Sequence, residues 1–387
     1  MAEELSYVIV TPYSIRKSRT GGIIARLISR TGLDIVGARM FAPSRELTEK
    51  YAATIATDPE PRHRATQQLI REYVLKNFQP DGAGSQPRVL MLAFRGEDAV
   101  LKIRGAVGHI VNERTSGETI RDTYGDYIAD KGGTVTYFEP AVLAPPDLAS
   151  AKENLMLWAS YSDHDGGLLD DTVEFPQSGA VQKTLVLIKP DNFRFPNSRP
   201  GGVIDLFSRT DLYIIGFKVH RMSVAQAEEF YRPVLDVLMD KLKEPSGIRA
   251  RLAFEREFGF QLTEDVQRRL GDLLGPLAGR DNWEAIVKFM SGMKPSECPP
   301  GQRDEPGSEK CIALVYQGVD AVRKIREVLG PTDPSKAPPG SIRREFGSTI
   351  MVNAAHASDS PENAQREMKI VQIEENNFKP LIEAHFA

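Results

Sequence analysis

Gly21 to Arg39 reads GGIIARLISRTGLDIVGAR, and Gly201 to Lys218 reads GGVIDLFSRTDLYIIGFK. Ser29-Arg30-Thr31 meets Ser208-Arg209-Thr210, and Leu33, Ile35 and Gly37 then meet Leu212, Ile214 and Gly216 in the same register. Such a repeat must be settled before any fold is chosen, because it sets how many units the chain has to build. Both stretches predict a helix opened by glycines, closed at Ser-Arg-Thr, and followed by a strand. Two further echoes lie downstream. DAVLKIR at Asp98–Arg104 matches DAVRKIR at Asp320–Arg326, and ETIR at Glu118–Arg121 matches GSIR at Gly340–Arg343. Three collinear matches predict a duplicated domain, with extra chain inserted in the second copy between the first and second echoes.

The second copy gives the order of elements. Lys183–Pro190 (KTLVLIKP) is a buried strand, Gly201–Thr210 a helix, Leu212–Met222 a strand and Ala225–Leu242 a helix. After the insertion, Cys311–Gly318 is a strand, Asp320–Gly330 a helix, Ser348–His356 a strand, and Ser360–Val371 a helix capped by Ser360 with Pro361 in its first turn. This βαββαβ order suits an α+β fold, a ferredoxin-like antiparallel sheet repeated in tandem, since the adjacent ββ pair needs no crossover helix. The domains expected are residues 1–160, a linker at 161–180 and residues 181–387, with a helical insertion near 233–281. The linker reads SDHDGGLLDDTVEFPQSG, acidic and without helical period, and places the boundary near Gly179.

Composition narrows the function. A chain of 387 residues predicts roughly two to three domains, each able to bury a core. Its 49 basic and 53 acidic residues leave a net charge of −4, so no overall positive field draws nucleic acid or anionic lipid. A single-stranded nucleic-acid binder on a ferredoxin-like sheet would want exposed aromatics in a positive groove. No apolar run approaches the roughly 18 residues that span a bilayer, and the opening MAEELSYVIVTP lacks a basic leader, so a cytoplasmic protein is expected. Cys298 and Cys311 alone cannot build a disulfide framework or a four-cysteine zinc site.

Among six histidines, His356 stands apart at the end of the last strand, in NAAHASDSPENAQRE. Asn353, Ser358, Asp359 and Glu367 surround it in sequence, Arg326, Thr332 and Arg343 precede it, and Lys189 ends the first strand of the same copy. Cations interleaved with small donors suit a polyphosphate ligand. Neither GxxxxGK[ST] nor a GxGxxG after a strand occurs, so side chains must do the phosphate binding. Gly201 and Gly202 read as helix-packing glycines in preference to an anion-binding turn.

These residues resemble the nucleoside diphosphate kinase family: LVLIKPD with Lys189, GGVIDLF, EEFY ending at Tyr231, KIREVLGPTDP, GSIR and the segment Asn353–Ser360. The resemblance covers nearly the whole second half. It implies transfer of a γ-phosphoryl group from a nucleoside triphosphate to a nucleoside diphosphate, by a ping-pong route through a phosphohistidine on His356. It implies that Glu367 orients the imidazole, with Ser358 and Tyr231 assisting, and that Lys189, Arg326, Thr332 and Arg343 hold the phosphates while Asn353 binds the ribose. It further implies Mg2+ arriving with the nucleotide, with no protein metal ligands, and a homo-oligomer, three chains restoring six domains. Trp283 and Ile286 are the candidates for stacking the base, with Asn282 as an alternative. The insert from about Pro233 to Asp281 and a second at Lys294–Lys310 depart from the family pattern.

The first copy reads as disarmed. Thr11-Pro12-Tyr13 stands where the second copy has Lys-Pro-Asp. Aligning Glu153 with Glu367 puts Val142 at the histidine position, Glu139 at that of Asn353 and Ala144 at that of Ser358, whereas Arg104 and Arg121 survive. The expectation is one catalytic and one inactive domain. The alternative is a non-enzymatic nucleotide-binding, regulatory or assembly protein.

Overall fold

Residues 3–55, 61–81, 86–110, 117–170, 172–175 and 181–387 are described in the computed structural model. The boundary expected near Gly179 lies outside them. In chain order the strands are β1 (Glu4–Val10), β2 (Asp34–Phe41), β3 (Val89–Gly96), β4 (Asp126–Ala129), β5 (Val135–Glu139), β6 (Val142–Leu143), β7 (Val181–Ile188), β8 (Tyr213–His220), β9 (Cys311–Val319) and β10 (Ala355–Ala357). They form two four-stranded sheets, ordered β2-β3-β1-β6 and β10-β7-β9-β8, and a separate β4–β5 hairpin. In both sheets the first strand of the copy lies between its third and fourth, and neighbours run antiparallel. This is the α+β ferredoxin-like topology that the element order predicts, built twice.

Both repeat stretches fold as their patterns require. The helix Thr20–Thr31 stops at Gly32, whose φ of 66° reverses the chain into β2. Its counterpart Arg199–Phe207 runs into a 3-10 turn at Ser208–Thr210 and reaches β8 through Asp211. These two helices cross backbone against backbone. A Cβ on Gly21 would lie 2.6 Å from Asp205 Cα, and one on Gly201 would lie 2.6 Å from Ala25 Cα. The close crossing lets Ile23, Ile24 and Leu27 share one apolar cluster with Val203, Ile204 and Phe207, so the core is continuous across both sheets.

Each repeat stretch ends in a buried cation that caps a helix of its own copy. Lys218 Nζ donates to Gln372 O at 2.6 Å and Val371 O at 3.4 Å, just past the helix Pro361–Ile370. Arg39 Nε donates to Ser162 O at 2.9 Å, just past Leu148–Tyr161. Carbonyls orphaned at a helix C-terminus are natural seats for a cation.

The expected linker is partly ordered. Gly167 N donates to Met40 O and Leu169 N to Ile215 O, both at 2.9 Å, so this segment covers the edges of β2 and β8. The terminal helix Phe378–Phe386 returns to the first sheet, where Phe378 and Ile382 join Phe41, Leu143 and Trp158 in a second apolar cluster.

One expected element is shorter than predicted. Ser348–His356 reads as a strand, yet only Ala355–Ala357 pairs with β7. Ser348 N and Thr349 N both donate to Val352 O, closing a turn, and Ala354 has a φ of 69°. The turn is what leaves Asn353 free to aim its amide inward.

By contacts, Met1–Val219 with Ile312–Ala387 forms one compact unit and His220–Cys311 another. The second unit packs the helices Val224–Lys241, Lys243–Phe258 and Glu264–Ser291. Its helices run unbroken through Pro233 and Asp281, because a Ser223–Gln226 capping box starts the first and Gly292 stops the last. The second expected insert, Lys294–Lys310, makes two 3-10 turns and is tied into the same unit by Ala225 N donating to Arg303 O at 2.9 Å.

Candidate active site

The site grows from the pairing of β10 with β7. Ala355 and Ala357 face Ile188 and Val186, and all four lie in the shared core. Strand alternation sends His356, opposite Leu187, to the other face, which the helix Pro361–Ile370 covers. Ser360 accepts from Asn363 N and Pro361 fills the first turn, so this helix starts at a fixed point, with Glu367 two turns along.

There His356 Nε2 lies 2.9 Å from Glu367 Oε2, and Ser358 Oγ donates to the same oxygen at 2.6 Å. Glu367 is buried, whereas the His356 side chain keeps 23% of its surface exposed. A neutral imidazole that places its proton on Nε2, toward the carboxylate, carries its lone pair on Nδ1. The arrangement defines a nucleophilic nitrogen, a group that fixes its tautomer, and a hydroxyl that fixes that group in turn.

A second cluster adjoins β10. Lys189 Nζ donates to Asn353 Oδ1 at 2.8 Å and Met351 O at 3.1 Å, and Asn353 Nδ2 donates to Thr332 O at 3.1 Å. Arg343 donates to Gly330 O at 3.0 Å and Ala355 O at 3.1 Å. Burial, reinforced by the Arg343 charge and opposed by Asp191, brings the Lys189 ammonium well below the usual lysine range, to about 8. Arg326 and Thr332 are exposed on the same compact unit. The fold therefore links Lys189, Asn353 and Thr332 through direct contacts, sets the Arg343 charge close enough to act on Lys189, and joins His356, Ser358 and Glu367 in one chain of bonds.

Tyr231, Trp283 and Ile286 belong to the helical unit. Trp283 Nε1 donates to Tyr231 O at 2.9 Å, and the ring is only 6% exposed. A base platform needs an open ring face; this indole is instead spent on packing, so Trp283 is not carried forward in that role. Ile286 is half-buried.

Equivalent contacts fix how the first copy corresponds. Thr11 N bonds Ala141 O as Lys189 N bonds Ala354 O, and Ala141, like Ala354, has a positive φ. Arg121 Nη2 bonds Val142 O as Arg343 Nη2 bonds Ala355 O. Asp147 caps its helix as Ser360 does. The structure therefore shifts the expected correspondence by one residue: Leu143, not Val142, stands at the His356 position, and Asn154, not Glu153, at that of Glu367. Pro140 and Pro145 replace Asn353 and Ser358, where Glu139 and Ala144 were expected. Glu153 matches Glu367 in residue type but is exposed, beside the buried Asn154. Leu143 packs with Leu155 and Trp158, and Asn154 Nδ2 donates to Tyr7 Oη at 2.9 Å. The recess beside Arg121, Glu139 and Pro140 holds about 10 Å³, space for a single water. Arg104 donates to Pro146 O.

Two residues that sequence reasoning passed over also touch the site. Asp191 follows Lys189 in the turn Pro190–Asn192, and Arg199 opens the next helix. The signal was present in Lys-Pro-Asp and in an arginine two residues before the repeat glycines.

Two ferredoxin-like sheets with a carboxylate-bound histidine beside a cation and amide cluster define an α+β protein suited to anionic ligands. The sequence model of the nucleoside diphosphate kinase family matches residues 4–136 and 304–376, and the chain belongs to that family. Arg326, Thr332, Arg343, Asn353, His356, Ser358 and Glu367 fall inside the second matched stretch; Lys189, Tyr231, Trp283 and Ile286 fall outside both. The chain is similar to the nucleoside diphosphate kinase of Sulfurisphaera tokodaii, 27% identical over 206 residues that cover 53% of this chain and 99% of that protein. To that of Streptomyces coelicolor it is 33% identical over 140 residues, 33% of this chain and 90% of that protein. A crystal form of the Aquifex aeolicus nucleoside diphosphate kinase aligns at 27% identity and a TM-score of 0.31, covering 50% of this chain and 95% of that one.

Proposed function

We propose that the second copy transfers the γ-phosphoryl group of a nucleoside triphosphate to a nucleoside diphosphate through a phosphohistidine on His356. The observation that carries this reading is the chain Ser358–Glu367–His356, which leaves Nδ1 as the nucleophilic nitrogen. In the first half reaction the Nδ1 lone pair attacks the γ-phosphorus, the bond from phosphorus to the β–γ bridging oxygen breaks, and that oxygen leaves with the electron pair on the nucleoside diphosphate. Glu367 stabilises the positive charge that develops on the ring through its bond to Nε2. The second half reaction reverses these steps with a different diphosphate as acceptor, so one site serves both.

Phosphoryl transfer has a loose transition state, and catalysis consists mainly of positioning and charge neutralisation. Lys189, Arg326 and Arg343 supply the charge and Thr332 a hydroxyl, and Asn353 holds the ribose, in the roles that the resemblance gives them. Among the described residues no three His, Cys, Asp or Glu side chains converge on a metal position. The cationic and amide donors suit the nucleotide phosphates, and Mg2+ would arrive on those phosphates and screen their charge, in the role that the resemblance gives it. Among the described residues no helix is long and apolar enough to cross a membrane.

In this reading residues 181–387 form the catalytic copy, residues 1–160 an inactive partner copy and 161–180 the connection. Leu143 at the histidine position and the small size of the recess support an inactive first copy. Assembly into a homo-oligomer belongs to the same proposal and is checked by solution mass. The kinetic test is the initial rate with ATP and GDP varied together: parallel double-reciprocal lines are expected, and intersecting lines would exclude the covalent intermediate.

A further inference from the structure

We infer that Asp191 is a positioning residue for the phosphate site, which ties the turn carrying Lys189, through Arg199, to the short helix carrying Arg343. The inference rests on the nucleotide reading above. Asp191 Oδ2 lies 3.4 Å from Arg199 Nη2, and the carboxylate is 2% exposed. The same Nη2 donates to the carbonyl of Phe346, the last residue of the helix Ile342–Phe346, and the guanidinium stands 5.9 Å from the Phe346 ring centroid. One arginine thus bonds both sides of the candidate phosphate site. On one side is the strand end with Lys189, and on the other the helix whose Arg343 is fixed by Gly330 O and Ala355 O.

The first copy separates the structural half of this brace from the chemical half. Arg19, two residues before Gly21 as Arg199 is before Gly201, donates to the carbonyl of Tyr124, the last residue of the helix Ile120–Tyr124. The clamp on the short helix therefore persists where the histidine and the lysine are gone. What differs is the partner across the turn: Tyr13 stands at the position of Asp191, and the Arg19 guanidinium lies 5.1 Å from its ring centroid. A neutral aromatic ring satisfies the arginine as well as the fold requires. The buried carboxylate appears only in the copy that also has the lysine. Burying a carboxylate costs free energy that a purely mechanical clamp has no need to spend. Its distinct contribution is a negative charge that anchors the Lys189 turn and offsets two cations gathered before any phosphate arrives.

The two copies also supply the controls. Asp191→Tyr installs the first copy's own solution, and Asp191→Glu keeps the charge. The full-length protein and these variants are assayed for phosphoryl transfer from ATP to GDP, with thermal unfolding in parallel. The expected result is that Asp191→Tyr and Asp191→Asn unfold within about 3 °C of wild type, as small stability changes do, but raise the KM for ATP about tenfold, the worth of one charge-assisted contact. Their kcat should change less than about threefold, and Asp191→Glu should recover most of the KM. A loss of kcat at unchanged KM, or a KM not rescued by Asp191→Glu, overturns the inference and leaves Asp191 a structural residue. Wild type without any transfer activity would instead overturn the functional reading on which the inference stands.

Discussion

A Cβ added to Gly21 would lie 2.6 Å from the carbonyl oxygen of Gly201, and a Cβ added to Gly201 would meet the carbonyl of Gly21 closer still. The glycines that reveal the duplication in the sequence are thus the ones across which its two halves meet. The obstructing atoms are backbone, which cannot swing aside as a flexible side chain would. Gly201→Ala should therefore destabilise by about 1–3 kcal/mol through overpacking, lowering Tm by several degrees. Gly105→Ala, where an added Cβ meets nothing within 4 Å, is the control for the general effect of glycine replacement, and it should be neutral or stabilising. Equal Tm changes at the two positions would contradict the tight crossing.

The buried Lys218 is expected to matter at a distance from the chemistry. It caps the helix that carries Glu367, and hydrogen bonds to a charged donor contribute about 1.5–3 kcal/mol. Lys218→Met, which keeps the aliphatic stem, should lower thermal stability and speed amide hydrogen exchange at the end of that helix. Exchange unchanged there would mean that the cap is dispensable.

Lys189 gives the site a pH dependence of definite sign. Its folded pKa, about 8, lies below the ordinary lysine value, so the folded free enzyme loses this charge as pH rises through about 8. Because kcat/KM reports the free enzyme, kcat/KM for ATP should decline on the alkaline side from about pH 8. For stability the sign is opposite. Between about pH 8 and the unfolded lysine value near 10.4 the unfolded chain binds more protons, so this group adds stability as pH rises. Lys189→Arg, whose guanidinium stays charged, should remove the alkaline decline in kcat/KM. A wild-type profile flat to pH 9.5 would contradict the assignment.

The first copy should resist simple rearming. Leu143→His places an imidazole at the right strand position, but the partner there is Asn154, already bonded to Tyr7 and Thr54, and Thr11 stands where Lys189 would be. In a His356→Ala background, Leu143→His should restore no covalent label from γ-labelled ATP. Labelling at residue 143 would show that the recess admits a triphosphate.

Much of this architecture was legible because it depends on local pattern. Alternation and glycine punctuation locate β7, β8 and β9 of the second copy, and Ser360-Pro361 marks the start of the Glu367 helix. What escaped depends on contacts remote in sequence. The strand expected from Ser348 shrinks to Ala355–Ala357 because Ser348 and Thr349 close a turn on Val352 O, which sends Asn353 to Lys189 and Thr332, partners no periodicity reveals. The one-residue error at Val142 arose because exposed Glu153 and buried Asn154 are adjacent, and only strand register separates them. Trp283 reads as a base platform in the sequence because an aromatic at a helix position does not announce whether its face is open; here its N–H is bonded to Tyr231 O. Phe378 and Ile382 could be read as an apolar helix face, but not as one that packs on the first sheet.

A phosphorylated His356 is tested most directly by labelling. Full-length protein is incubated with γ-labelled ATP and Mg2+, separated from nucleotide and divided between acid and alkali, with His356→Ala treated alongside. Label is expected on wild type only, lost in acid, stable in alkali and transferred to added GDP. Label that persists on His356→Ala, or no label on wild type, would contradict it.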